Sequence, residues 1–191
     1  MIDTHCHIND DRYESDIKDT IQRAIDSGVE KMICVGVDLK SSSQSLQIAD
    51  NFKEVYASVG YHPHESKDAS KGYIYELEDM AKSSKVVAIG ETGLDYHYNI
   101  SSKSIQRRVF NEQIELSKDL EIPIIMHNRS SDEDLLSIIE TTGLDNGVVH
   151  CFSSDWVLAK KLLSLNIKLS FTGMVTFIKD PISEVVKKID L

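Results

Sequence analysis

Six of the seven histidines close or follow short apolar, β-branched runs, and that placement is the first hint of chemistry. His5 and His7 stand in Asp3-Thr4-His5-Cys6-His7, and His62 and His64 in Gly60-Tyr61-His62-Pro63-His64. His127 ends the run 122–126, and His150 ends the run 147–149. A carboxylate, Glu91, follows the run 86–89 in Gly90-Glu91-Thr92-Gly93-Leu94-Asp95. Imidazole nitrogens together with carboxylate oxygens suit zinc, manganese or magnesium-type hydrolytic sites, and a carboxylate can bridge two ions. His5, His7, Glu91, His127 and His150 are therefore the candidate ligands.

Strand geometry sharpens the first motif. Residues two apart in a strand point to the same side and the one between points away, so His5 and His7 can reach one ion while Cys6 faces the helix layer. Taken alone, each element has a plainer explanation: a pair of surface histidines near a terminus, an exposed loop glutamate, a hydrogen-bonded structural histidine. Their recurrence at successive strand ends favours a shared site. Gly90 and Gly93 read as allowing a tight turn around Glu91, and Asp95 as a ligand support, a helix cap or a bystander. His62, His64 and Arg129 have no assigned metal and suit an anionic substrate, since arginine presents a planar fork to phosphate or carboxylate. A salt bridge on the rim is the alternative for Arg129.

The elements that must position these residues alternate regularly. Strands are predicted at 1–8, 31–37, 55–60, 86–90, 122–127, 147–152 and 167–171, with helical stripes between them such as Ile17, Ile21, Ala24 and Ile25, which stop at Gly28. Asp180 and Pro181 read as the N-cap and first residue of a last helix, and Ser41, Ser42 and Ser43 as a loop leading into one. Such βα alternation implies a parallel sheet, either open and doubly wound or a (β/α)8 barrel, and in both the C-terminal strand ends form the active face.

Composition narrows the class. The chain has 191 residues, 41% of them hydrophobic, and a single domain over 1–191 is expected. A net charge of −10 argues against coating nucleic acid or anionic lipid through bulk electrostatics. The apolar runs are too short to span a membrane, and the N-terminal residues do not resemble a leader. Three cysteines, Cys6, Cys34 and Cys151, read as reduced buried thiols in a cytoplasmic protein, Cys151 being structural rather than a nucleophile. There is no Walker-type loop, GxGxxG or GxSxG elbow, which disfavours nucleotide-cofactor chemistry and serine hydrolysis.

Taken together, the motifs at 3–7, 60–64, 90–96, 123–129 and 150–154, the Gln106, Phe110 and Gln113 spacing and the stretch 170–177 resemble the TatD family of metal-dependent deoxyribonucleases. The resemblance implies an α/β, TIM-type barrel with seven strands in this chain, and two divalent ions (Mg, Mn or Zn). One ion would be bound by His5 and His7, the second by His127 and His150, with Glu91 bridging. Glu91, His127 and His150 are expected to carry catalysis, with DNA as substrate. Members of the family continue into an eighth strand with a Glu-Thr-Asp motif that this chain lacks. An open barrel edge prone to self-association, and a weakened first metal, are the expectations that follow. A metal hydrolase of a small amide or ester, and an inactive scaffold, are the rival readings.

Overall fold

Residues 1–177 and 181–189 are described by the computed structural model. The strands are β1 (Ile2–Cys6), β2 (Lys31–Val35), β3 (Val55–Val59), β4 (Val86–Asp95), β5 (Ile124–Arg129), β6 (Gly147–Val149) and β7 (Ile167–Leu169). All neighbouring pairs are parallel, and the sheet order follows the chain order from β1 to β7. Because no crossover reverses direction, each βα unit adds a strand on the same side and the twisted sheet curls into a barrel wall. A doubly wound sheet would reverse its order at a switch point, so the alternative left open by the sequence is decided in favour of the TIM-type architecture. The ring of His5, on β1, stacks on that of His150, just past β6, with centroids 3.4 Å apart. Only a curled sheet brings those two ends together.

Helices α1 (Ile17–Asp26), α2 (Leu39–Asn51), α3 (Tyr73–Met80), α4 (Lys103–Asp119), α5 (Asp132–Thr142), α6 (Trp156–Ser164) and α7 (Ile182–Lys188) fill the intervals. Central strands are buried on both faces, as parallel sheets covered by helices require: Val35, Val59, Ile89, Ile124 and Met126 are fully enclosed. Apolar stripes on the helices close the outer layer, with Ile21, Leu77, Phe110, Leu135, Ile139 and Leu162 all packed into the core.

Four expectations need correcting. The serine cluster is not a loop: Asp38 caps α2, its side chain accepting from the Ser41 amide at 2.7 Å while Ser41 Oγ accepts from the Asp38 amide at 3.0 Å. This capping box satisfies the first-turn amides and lets the helix begin among serines of modest helix propensity. Residues 90–95 do not turn around Glu91 but belong to β4, which runs on beside β5. Cys6 and Cys151 are half-buried rather than buried, and Cys151 lies beyond β6 with φ +49°; only Cys34 is enclosed. Pro181 immediately precedes α7 instead of starting it, and Asp180 lies outside the described residues.

Candidate metal centre

Glu91 is the hub. Its carboxylate sits at the C-terminal rim with 5% exposure, and the Glu91 amide is tied to the Gly36 carbonyl at 2.9 Å. Two glycines make this possible. Gly90 and Gly93 have φ of +136° and +127°, and a Cβ on Gly90 would lie 2.5 Å from the Ile125 carbonyl oxygen. The register between β4 and β5 shifts between Ile89 and Thr92, which displaces the strand locally at the glutamate.

Imidazoles surround that carboxylate. His5 Nε2 and His127 Nδ1 are each 3.2 Å from it, His62 Nε2 is 3.8 Å away and His7 Nε2 4.0 Å. The Nε2 atoms of His5 and His7 are 3.2 Å apart, so both rings aim at one point, as strand alternation implies. Cys6 turns away: its thiol donates to the Ile33 carbonyl, and burial pushes its pKa up to about 12. Donor atoms of His5, Glu91 and His150 lie within 4.8 Å of one another, and so do those of His62, Glu91 and His127. His62, expected beside the substrate, thus lies among the possible ligands.

A further layer fixes these rings. Asp95 is fully enclosed; its Oδ2 pairs with His64 Nε2 at 2.9 Å and His127 Nε2 at 3.1 Å, while Oδ1 accepts from the amides of His97 and Tyr98. With Nε2 committed to Asp95, His127 presents Nδ1 to the hub, the usual arrangement of a carboxylate orienting a ligand histidine. Helix α4 contributes two buried glutamines. Gln106 brackets the backbone of Asp95, its Oε1 accepting from the amide at 2.8 Å and its Nε2 donating to the carbonyl at 3.0 Å. Gln113 does the same for Tyr61, with a 2.6 Å bond to Thr92 Oγ1 besides. The sequence carried a signal for these roles: two glutamines seven apart lie on one helix face, embedded in the apolar stripe. Arg129 ends β5 on the exposed rim, its guanidinium 4.7 Å from the Tyr98 ring centre. Rather than joining a rim salt bridge among the described residues, it rests on an aromatic face.

The electrostatics suit a cation. Burial alone would raise the Glu91 carboxyl, but hydrogen bonds from His127 and His5 and the nearby imidazoles hold it well below the carboxylate range. Burial, reinforced by neighbouring rings, depresses His62 to about 3 and His150 to about 4, so both are neutral at neutral pH, His62 with its Nδ1 accepting from the His64 amide at 3.2 Å. His127 moves the other way: burial is overcome by Glu91 and Asp95, and its pKa is raised. His5 Nδ1 is buried with no hydrogen-bond partner. Many neutral nitrogen donors around one anionic carboxylate, with an orphaned nitrogen among them, fit a site for divalent metal.

The sequence matches the family described as TatD related DNase over residues 2–191. The chain belongs to that family. It is 38% identical over 193 residues to the uncharacterized metal-dependent hydrolase YabD of Bacillus subtilis, covering 99% of this chain and 75% of that protein. It is 29% identical over 177 residues to the protein named 3'-5' ssDNA/RNA exonuclease TatD of Salmonella typhimurium, covering 92% of this chain and 68% of the other. The crystal structure of YJJV, a TatD homolog from Escherichia coli K12, superimposes with a TM-score of 0.93 at 29% identity over 100% of this chain and 75% of that one. This TatD-family chain therefore shares with its relatives a curled parallel sheet whose rim gathers metal-type donors.

Proposed function

We propose that this protein is a divalent-metal-dependent deoxyribonuclease that hydrolyses DNA phosphodiester bonds. One observation carries the reading: two clusters of donor atoms share a single buried carboxylate, Glu91. Two ions sharing Glu91 would be held by His5 and His150, with His7 4.0 Å from the carboxylate, and by His62 and His127, rather than with His127 and His150 on one ion as the family resemblance implies. Bound divalent ions would supply the Lewis acidity that activates water and stabilises charge on the phosphoryl group. The residues of the chain do the rest. Glu91 and His150 hold the reaction centre, and His127, steadied by Asp95, keeps its Nδ1 aimed inward. His64 and Arg129 orient the phosphate from the open rim, the arginine through its fork. Three unpaired cysteines suit a reducing compartment, and a cytoplasmic setting, with residues 1–191 belonging to one hydrolase domain, completes the proposal.

Metal analysis of the wild type and Glu91→Gln, with cleavage of labelled single-stranded DNA measured against a panel of acyl substrates, tests this. Wild type should retain metal and cut DNA, while Glu91→Gln should lose metal occupancy and most of its activity, on the order of a hundredfold or more, as for a removed charge-stabilising group. Cleavage undiminished in chelator, or a variant with both metal and activity intact, would overturn the reading.

A further inference from the structure

The loop after β4 carries an aromatic side chain that the site as described leaves without a task. Tyr98 is 56% exposed, yet its amide is fixed at 2.9 Å to Asp95 Oδ1, the same carboxylate that orients His64 and His127. Its ring makes an edge contact with His64, centroids 5.5 Å apart, and carries the Arg129 guanidinium 4.7 Å from its centre. Nearby the pattern repeats, with Lys103 Nζ 4.2 Å from the centre of the Tyr96 ring. Lysines rest on tyrosine elsewhere, Lys31 and Lys85 on Tyr56, and Tyr96 also donates to Asp134, so what sets the Arg129–Tyr98 pair apart is its contact with His64 beside the metal-type cluster.

An exposed aromatic on a rigid backbone, next to a cation, is the arrangement by which proteins hold single-stranded nucleic acid. Bases stack on the ring without regard to sequence while the cation takes the phosphate. The other side of Arg129 is less suitable. There a polar cavity of about 440 Å³ is lined by Ser130, Ser153 and Ser154 but also by the carboxylates of Asp132 and Asp155, which repel a phosphate. We propose that Tyr98 is a stacking platform that binds the nucleobase adjoining the scissile phosphate, with Arg129 holding that phosphate. The inference rests on the nuclease reading and adds to it a residue that positions the substrate through its base. A paired base, already stacked between its neighbours, cannot reach the ring.

The test uses short single-stranded oligonucleotides with 2-aminopurine or an abasic residue at each of the positions nearest either end, and wild type, Tyr98→Ala and Tyr98→Phe. Wild type and Tyr98→Phe should quench 2-aminopurine at one position. Tyr98→Ala should lose the quenching and bind the intact strand about tenfold or more weakly, seen as a rise in KM. That deficit should close when the base at that position is removed, because only the ring-to-base contact is lost. An equal deficit on intact and abasic strands, quenching that survives in Tyr98→Ala, or wild type binding duplex as well as single strand would overturn the proposal. Metal-dependent cleavage by the wild type reports separately on the nuclease reading: cleavage with no base-dependent Tyr98 effect sinks only the platform.

Discussion

At the scale of single residues, the depressed imidazoles make the site sensitive to acid. His62 and His150 have folded pKa values of about 3 and about 4 against an ordinary 6.5, so the unfolded chain takes up those protons first. Their contribution to stability is complete above pH 6.5 and is lost as the pH falls towards 4 and then 3. Glu91 adds to the same trend at lower pH, below the ordinary 4.5 of a glutamate. His127, raised by Glu91 and Asp95, opposes it: its contribution is present below 6.5 and disappears as the pH rises through its folded value. The metal-free protein is therefore expected to lose Tm steadily between pH 6.5 and 4, and His150→Asn should flatten part of that slope. Thermal unfolding followed across this range checks it, and a Tm that stays level or climbs on acidification would refute the assignment. That the histidines at 5, 7, 127 and 150 gather around Glu91 was legible because strand alternation and strand ends dictate where a side chain points. The place of His62 among the possible ligands was not legible, since it follows β3 in a loop whose path no periodicity specifies.

At the scale of elements, helix α4 is more than a cover for the sheet. Through Gln106 and Gln113 it pins the backbones of Asp95 and Tyr61, and so sets the rim from which Glu91 and His64 project. Replacing Gln113 by alanine leaves the buried Tyr61 amide and carbonyl and the Thr92 hydroxyl without this partner. Unmet buried polar groups cost about 1–3 kcal/mol each when nothing replaces the lost bond. Urea unfolding of Gln113→Ala should show a loss of about 2 kcal/mol or more, and Gln113→Glu an equal or larger one, because its buried carboxylate keeps an acceptor for the Tyr61 amide but turns its second oxygen on the Tyr61 carbonyl. A loss within about 0.5 kcal/mol, typical of a surface substitution, would mean that the clamp is dispensable. The extent of β4 was the element least legible in sequence. Its glycines look like turn residues, but they serve instead to let β4 and β5 approach where side chains would collide.

At the scale of the whole molecule, β1 and β7 are the outer strands of the sheet and are not paired with each other among the described residues. Exposed apolar residues gather at these two margins: Met1 and Ile2 on one side, and Val175, Phe177 and Val186 on the other. Unpaired strand edges flanked by apolar surface recruit further strands. A polypeptide of residues 1–191 by itself is thus expected to self-associate at micromolar concentration, and sedimentation velocity showing only monomer across a dilution series would contradict this. Much of this protein was determined by the sequence alone. Alternating short β-branched runs and amphipathic stripes make parallel βα units, and metal-type donors at the strand ends name the chemistry, because both follow from local periodicity. Tertiary structure alone decided that the sheet curls rather than reverses, that Glu91 lies inside β4 with imidazoles from β1, β5 and the loops after β3 and β6 around it, and that Arg129 rests on Tyr98. Those are meetings between residues far apart in the chain, set by sheet curvature and close backbone approach, and no local pattern encodes them.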